Sequence, residues 1–370
     1  MENNNKFTST QLVKFLICAM LGVGLLQLPS ILTEHTGNEA FYIPIFAGII
    51  CLGSAYLICK AGSMYNGRGL VGSAKYTYGK TIGVIIIIPL LLIYLIACAV
   101  EARVFTQTIK LFLLDTTPTW AILIPFYFLI LFLLRGELRH IIRFIEFVLP
   151  FILIIVSILF ILVIPGSDFT DLLPIGQRTF LEYYRAIDGS IFSFLGIISL
   201  LVIYPNIKKK DLKSNFKVTA LAVGIISVIY MITVALCISK LGTAETKWLL
   251  YPTISLIKSA YIPGGFIERL EGILMSIWVI LVFATIAIAL YAMTTIILDI
   301  FNFKDRRFIT TCIIPFIYIA SSSALSILEV MNVSIVSGYI LGPYSMFILP
   351  LLIIIGYRVK QKRRGSSHEN

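Results

Sequence analysis

The chain has 370 residues, 58% of them hydrophobic and only 13% charged, with a formal net charge of +11 and a mean hydropathy of +0.95. A soluble domain carries about a quarter charged residues, so a water-covered globule is excluded, and apolar runs each long enough to cross about 30 Å of hydrocarbon recur along the whole length. The basic excess sits in the connections between these runs, which argues against nucleic acid as a partner and for an all-α polytopic membrane protein.

Ten transmembrane helices are expected, at 9–33, 40–63, 81–113, 118–135, 140–164, 186–205, 215–241, 265–300, 308–328 and 333–357. The first contains GVGLLQLPS, 22–30. Two glycines one residue apart and then a proline are poor components of a continuous helix, so a break is expected near its middle. This run is too long for the apolar part of a cleavable signal and lacks a small-residue cleavage site. Spans 3 and 8 are unusually long, about 50 Å at 1.5 Å per residue, and must tilt or project from the bilayer. Span 6 runs into GIISLLVIYP, 196–205, which repeats the order glycine, apolar run, proline. Longer connections at 64–80, 165–185 and 242–264 include amphipathic stretches such as LLYPTISLIKSAY, 249–261, that fit the membrane interface. The tail RVKQKRRG, 358–365, reads as a juxtamembrane anchor to anionic lipid or as a docking site for a partner.

The six cysteines (Cys18, Cys51, Cys59, Cys98, Cys237 and Cys312) lie in or beside the spans without a CxxC pair, and His35, His140 and His368 are scattered. Buried thiols are the expectation, with no metal site and no cofactor.

Lys and Arg set the orientation. One set of connections, from Lys6 to Arg364, holds 22 of them; the other, from Arg103 to Arg269, holds 8. Positive residues stay in the cytoplasm, so both termini are expected there, and the span count must be even. Splitting the single transmembrane domain, 1–370, into spans 1–5 (9–164) and 6–10 (186–357) gives two halves of opposite orientation, followed by a basic cytoplasmic tail, 358–370. This is the inverted-repeat plan of many transporters. The two Gly…Pro segments and the two long helices fall at equivalent places in the halves. A helix broken at the midplane frees peptide groups that hydrocarbon cannot satisfy. Freed N–H groups can hold a carboxylate, and freed carbonyls an ammonium or cation. The competing reading of each glycine is close helix packing.

Several stretches resemble the B subunit of spore germinant receptors, the endospore germination permease family of the amino acid–polyamine–organocation superfamily. They are FTSTQL (7–12) with GVGLLQLP, TGNEAFYIPIFAG (36–48), YGKTIG (78–83), RGELRHIIRFIEFVLP (135–150) and DLLPI (171–175). The resemblance implies a LeuT-like fold with broken helices 1 and 6. It also implies a subunit in the spore inner membrane that senses a small germinant, often an amino acid, beside A and C subunits.

Ionisable side chains within spans are functional candidates by default. Glu101 and Arg103 are two apart in span 3 and do not share a helix face. Glu268 and Glu271 open span 8, and Asp188 suits a helix N-terminus. Glu137 and Glu146, with Arg139 and Arg143, fit a cytoplasmic charge network or gate. The expected ligand site combines the span 1 break (Gly22, Gly24, Gln27) with the span 6 break (Phe192, Ser193, Phe194, Gly196), closed by Tyr94, Ala97 and Glu101 of span 3 and Thr285 and Tyr291 of span 8. No sodium cage is evident, since oxygen ligands near Thr285 are sparse. Three functions fit: a ligand-sensing receptor subunit, a proton-coupled or uncoupled amino acid permease, and a scaffold or ion conduit. No catalytic constellation points to an enzyme.

Overall fold

The computed structural model describes residues 6–65, 67–136, 138–208, 214–260, 269–322 and 327–366. Glu137 and Glu268, considered above, lie outside the described residues. In chain order the α-helices are α1 (Ser9–Leu21), α2 (Gly24–Thr36), α3 (Ile43–Ser63), α4 (Gly69–Tyr78), α5 (Lys80–Phe112), α6 (Thr119–Leu134), α7 (Leu138–Val163) and α8 (Phe180–Phe194). They continue with α9 (Ser199–Ile203), α10 (Asn215–Trp248), α11 (Pro252–Lys258), α12 (Leu270–Phe301), α13 (Arg306–Ser322), α14 (Ile327–Pro343) and α15 (Leu349–Ser366).

Among the described residues, seven helical stretches are long and apolar enough to cross a membrane. α1, α6 and α13, with 13, 16 and 17 residues, sit at or below the lower limit of about 17 for a crossing helix. The expected long helices are α5, with 33 residues, and α12, with 32. Two connections hold more structure than expected. Residues 69–78 form α4, and α10 continues past a kink at Gly242 (φ 76°) to Trp248.

Sequence explains the local events. α1 opens on a capping box, with the Thr8 side chain accepting from Gln11 N–H and the Gln11 side chain from Thr8 N–H. Pro29 inside α2 has no N–H for the Leu25 carbonyl four residues back, and Thr253 of α11 donates to that oxygen at 2.7 Å. Pro350 leaves Met346 in the same position, and Ser54 donates to it at 2.9 Å. At these two prolines the freed carbonyl is matched by a hydroxyl from a neighbouring helix, as a water-free surrounding demands.

α3 packs on α10, α5 on α12, and α1 on α10 and α12. Trp278, Tyr230 and Phe15 are among the large side chains sealed in the centre, while Phe132 (72% exposed) and Phe316 (71%) point outward. An apolar exterior of this kind is suited to lipid rather than water.

Contacts define two ends. At one, Phe7 bridges Ile207, Lys75 Nζ donates to the carbonyls of Asp299 and Ile300, Arg307 Nε donates to Arg135 O, and Lys360 reaches Tyr76 O. This basic end carries both termini of the described chain. At the other, Asn38 Nδ2 donates to Pro174 O and Lys240 Nζ to Pro165 O.

Candidate functional site

α1 stops because Gly22 takes φ −42° and ψ −117°, outside the helical region. The chain restarts as α2 two residues later, where no side chain caps the opening N–H groups. Three neighbours approach the freed carbonyls: Tyr230 OH donates to Met20 O at 2.5 Å, Trp278 Nε1 to Gly22 O at 3.3 Å, and Thr285 Oγ1 shares its proton between Leu281 O of its own helix at 2.9 Å and Cys18 O at 3.2 Å. The protein therefore already uses several of the oxygens that sequence reasoning left open for a cation.

The second interruption is gentler. α8 tightens into a 3-10 turn at Leu195–Ile198 before α9, and Ser199 Oγ donates to Gly196 O at 2.7 Å. The two interruptions meet backbone to backbone: a Cβ on Gly196 would lie 2.1 Å from Ala19 O. Only glycine permits that crossing. Gly24 is equally confined, since a Cβ there would lie 2.5 Å from Tyr230 OH and 2.7 Å from Ser193 Oγ.

Beside this crossing lies a cavity of about 50 Å³, room for a few waters or a very small group. Gly22, Gly24, Tyr94, Ala97, Glu101, Phe192, Ser193, Gly196 and Thr285 all line it. A second cavity of about 40 Å³ shares Val23, Gly24, Phe192 and Ser193 with the first and is lined further by Gln27 and Asp188. Val23 and Gly24 on one helix and Phe192 and Ser193 on the other thus stand between the two chambers. Two candidates lie elsewhere. Phe194 packs edge-on against Tyr230, with ring centroids 5.7 Å apart, beside a separate small void. The Tyr291 ring carries the Arg306 guanidinium at 4.2 Å, toward the basic end.

Glu101 is the one carboxyl side chain among the described residues lining the first chamber. It faces Gly22, whose notional Cβ would be 3.2 Å from Glu101 Oε1, and no hydrogen bond or ion pair engages it among the described residues. A partly buried carboxylate without a partner in so apolar a surrounding is costly, so the site calls for a proton or a cation there. Nearby, Tyr94 OH, Gln27 Nε2 and Asp188 Oδ2 are buried without hydrogen-bond partners. Together they leave the chambers lined with unsatisfied polar atoms, as expected of a binding site and not of a sealed core.

Both ends above and below the chambers are tied. At the end opposite the termini, Glu39 accepts from Tyr42 OH, Tyr183 OH and, at 2.8 Å, Gln177 N–H. Burial acts to raise the Glu39 carboxyl, yet hydrogen bonds from Tyr183, Tyr42 and the backbone of Gln177 and Gly176 outweigh it and hold it down at about 2. At the basic end Gln11 Nε2 donates to Glu146 Oε2 at 3.2 Å, in place of the expected pairing of Glu146 with its neighbouring arginines.

Sequence reasoning missed Tyr230, Trp278 and Ser199. The available signal was a polar atom on a large side chain deep inside an apolar run, which must find a partner when buried.

A membrane-embedded helical bundle with two interrupted helices crossing beside a polar chamber is a transporter fold. Crystal structures of a manganese transporter from Eremococcus coleocola share it. A complex with an aromatic bis-isothiourea compound superposes with a TM-score of 0.57 at 16% identity, covering 93% of this chain and 79% of that one. A mutant of the same transporter gives 0.56 at 17% identity with the same coverage. At such identity the likeness concerns the fold alone. Residues 6–329 match the family described as Spore germination protein, and the chain belongs to that family. Similar proteins include Spore germination protein YndE of Bacillus subtilis, 26% identical over 366 residues and 98% of both chains. Spore germination protein A2 of the same organism is 29% identical over 97% of each, and Spore germination protein GerQB of Bacillus cereus is 27% identical over 85% of each. The chain is a multi-pass membrane protein of a germination permease family, not an enzyme.

Proposed function

We propose that this chain is the B-type integral-membrane subunit of a spore germinant receptor, working beside A and C subunits in the spore inner membrane. It binds a small germinant of the amino acid class in the Glu101 chamber. In this reading the helices make ten crossings arranged as a 5+5 inverted repeat, with α1–α2 and α8–α9 as the broken first and sixth spans and both termini in the cytoplasm. The packing of α3 on α10 and of α5 on α12 supports it, because spans 2 and 7, and 3 and 8, are equivalents in such a repeat.

The observation that carries the proposal is the unpaired Glu101 carboxylate facing the break at Gly22. The uncapped start of α2 presents N–H groups and a positive dipole end to an anionic group. Glu101 presents the opposite charge to an ammonium. A zwitterion satisfies both. Ligand binding acts by differential affinity for two arrangements of the bundle, and at its present volume the first chamber must merge with the second past Phe192 to admit an amino acid.

The alternative is a proton-coupled or uncoupled amino acid permease, favoured by the transporter fold. Purified protein in proteoliposomes separates the two. Saturable binding of an L-amino acid, read by the fluorescence of Trp278 beside the break, without uptake, supports the receptor; concentrative uptake supports the permease. Glu101→Gln should weaken either at least 30-fold, and unchanged binding to that variant refutes the proposed site.

A further inference from the structure

A wide groove lies on the outside of the bundle, across α12 from the first chamber, with Phe283 lining the groove and Thr285 the chamber. The groove, of about 770 Å³, runs between α6, α7 and α12, with Phe126, Phe132, Phe144, Val148 and Phe283 on its walls. Its rim at the basic end is formed by Arg135, His140 and Arg307. Leu129 and Phe132 stand more than half exposed along it, so the groove opens sideways, toward the space that lipid occupies.

Three features match one occupant. The first is charge: two guanidinium side chains stand at the rim, and the described lining residues include no carboxylate. Arg307 is held by Nε, which donates to the Arg135 backbone carbonyl at 3.2 Å and so keeps the Arg307 guanidinium at the Arg135 end of the groove. Its terminal nitrogens have no protein acceptor among the described residues. The second is depth. From Arg135 back to Phe126, and from His140 on to Val148, the walls extend about 12–14 Å along their helices, close to the half-thickness of a bilayer core of about 30 Å. The third is gradient: the rim is basic and the floor aromatic and aliphatic, so polarity falls in the direction in which a phospholipid changes from head group to acyl chain.

We infer that this groove is a binding site for one anionic phospholipid of the leaflet at the basic end, its phosphate held by Arg135 and Arg307 and an acyl chain lying against Phe132 and Phe144. Arginine suits the task because its planar fork holds phosphate oxygens bidentately. The leaflet is the cytoplasmic one if the charge-derived orientation holds, but the site itself does not depend on the germinant reading.

The test uses full-length purified protein, delipidated in detergent and then titrated with phosphatidylglycerol or phosphatidylcholine, with bound lipids counted by native mass spectrometry. Wild type should retain one phosphatidylglycerol in preference to phosphatidylcholine. Arg135→Gln with Arg307→Gln should weaken that retention about 30-fold, at the strength of two basic groups near a membrane surface. Phe132→Trp, which fills the groove without touching the charges, should also weaken it, whereas neutralising Arg358 and Lys360 in the tail should not. Equal retention of both lipids, or an unchanged phosphatidylglycerol affinity in the double variant, overturns the inference. So does a photocrosslinker at Leu129 that captures a polypeptide rather than lipid in intact membranes.

Discussion

Gly24→Ala tests the crossing of the two interrupted helices most directly. The added Cβ would sit 2.5 Å from Tyr230 OH, 2.7 Å from Ser193 Oγ and 2.8 Å from Ser193 Cβ. Ser193 Oγ can swing away by rotation, but Ser193 Cβ cannot, so α8 must shift by a few tenths of an ångström. Tyr230 cannot yield without losing the 2.5 Å bond that its hydroxyl makes to Met20 O. Overpacking of this kind costs about 1–3 kcal/mol. A buried carbonyl deprived of its donor costs a further amount of about 1–3 kcal/mol. Gly24→Ala alone should therefore destabilise by roughly 2–6 kcal/mol by these two contributions. Tyr230→Phe alone should cost about 1–3 kcal/mol, because the Met20 oxygen is orphaned while the ring stays packed. The double variant is the informative one. Removing the hydroxyl removes the nearest of the three atoms that the new methyl meets, leaving only the Ser193 contacts, and the Met20 bond can be lost only once. The two effects should fall short of additivity by about 1–2 kcal/mol, well beyond the ~0.5 kcal/mol scatter of independent sites. Unfolding of the purified protein in mixed micelles by titrated SDS, followed by tryptophan fluorescence, measures all four forms. Strict additivity would refute the geometry claimed for the break.

Other consequences follow from single contacts. Thr253→Val leaves the Leu25 carbonyl, already without a donor from Pro29, with no partner; a loss of about 1–3 kcal/mol and faster amide exchange in α2 are expected, and unchanged exchange would count against the role assigned to Thr253. Glu101→Gln should lower amino acid affinity at least 30-fold, as loss of a buried charge partner does, while leaving the unfolding midpoint equal or higher because a partly buried unpaired charge disappears; isothermal calorimetry and the same unfolding assay read the two effects. Glu39 has a folded value held down at about 2 from the ordinary 4.5. Its contribution to stability is complete above pH 4.5 and is lost as pH falls from there through about 2. Thermal midpoints over that window should fall more steeply for wild type than for Glu39→Gln, and parallel curves would remove Glu39 from the latch at that end. Gln11→Leu should loosen the basic end, raising the accessibility of a cysteine placed at Ser9 to a water-soluble thiol reagent; no change would show that the Gln11–Glu146 bond holds nothing shut.

Periodicity and composition alone determined the helical, membrane-embedded character of the chain. Runs such as 81–113 admit no other solvent than hydrocarbon, and every backbone polar group within them must be paired along the helix. The position of the first break was equally legible. Gly22 and Gly24 with Pro29 weaken a helix through their own backbones, whatever surrounds them. Five short stretches carried the family resemblance, and tertiary structure brings four of them together in pairs. Asn38 of TGNEAFY reaches Pro174 of DLLPI, and Gln11 of FTSTQL reaches Glu146 of RGELRHIIRFIEFVLP.

What only the fold decided is which side chains turn toward the break. An apolar helix in lipid has little amphipathic pattern to reveal its inner face, so Phe192 and Phe194, two residues apart in one helix, could not be told apart. One stands between the two chambers and the other packs on Tyr230. For the same reason Tyr291 passed for a site residue, although it stacks under Arg306. Tyr230 and Trp278 hold the freed carbonyls; their polar atoms inside apolar runs signalled a need for some partner, but not which one. Interruption is written in a residue's own backbone preferences. The partner that makes the interruption tolerable comes from another helix, more than 200 residues away, and only their packing brings the two together.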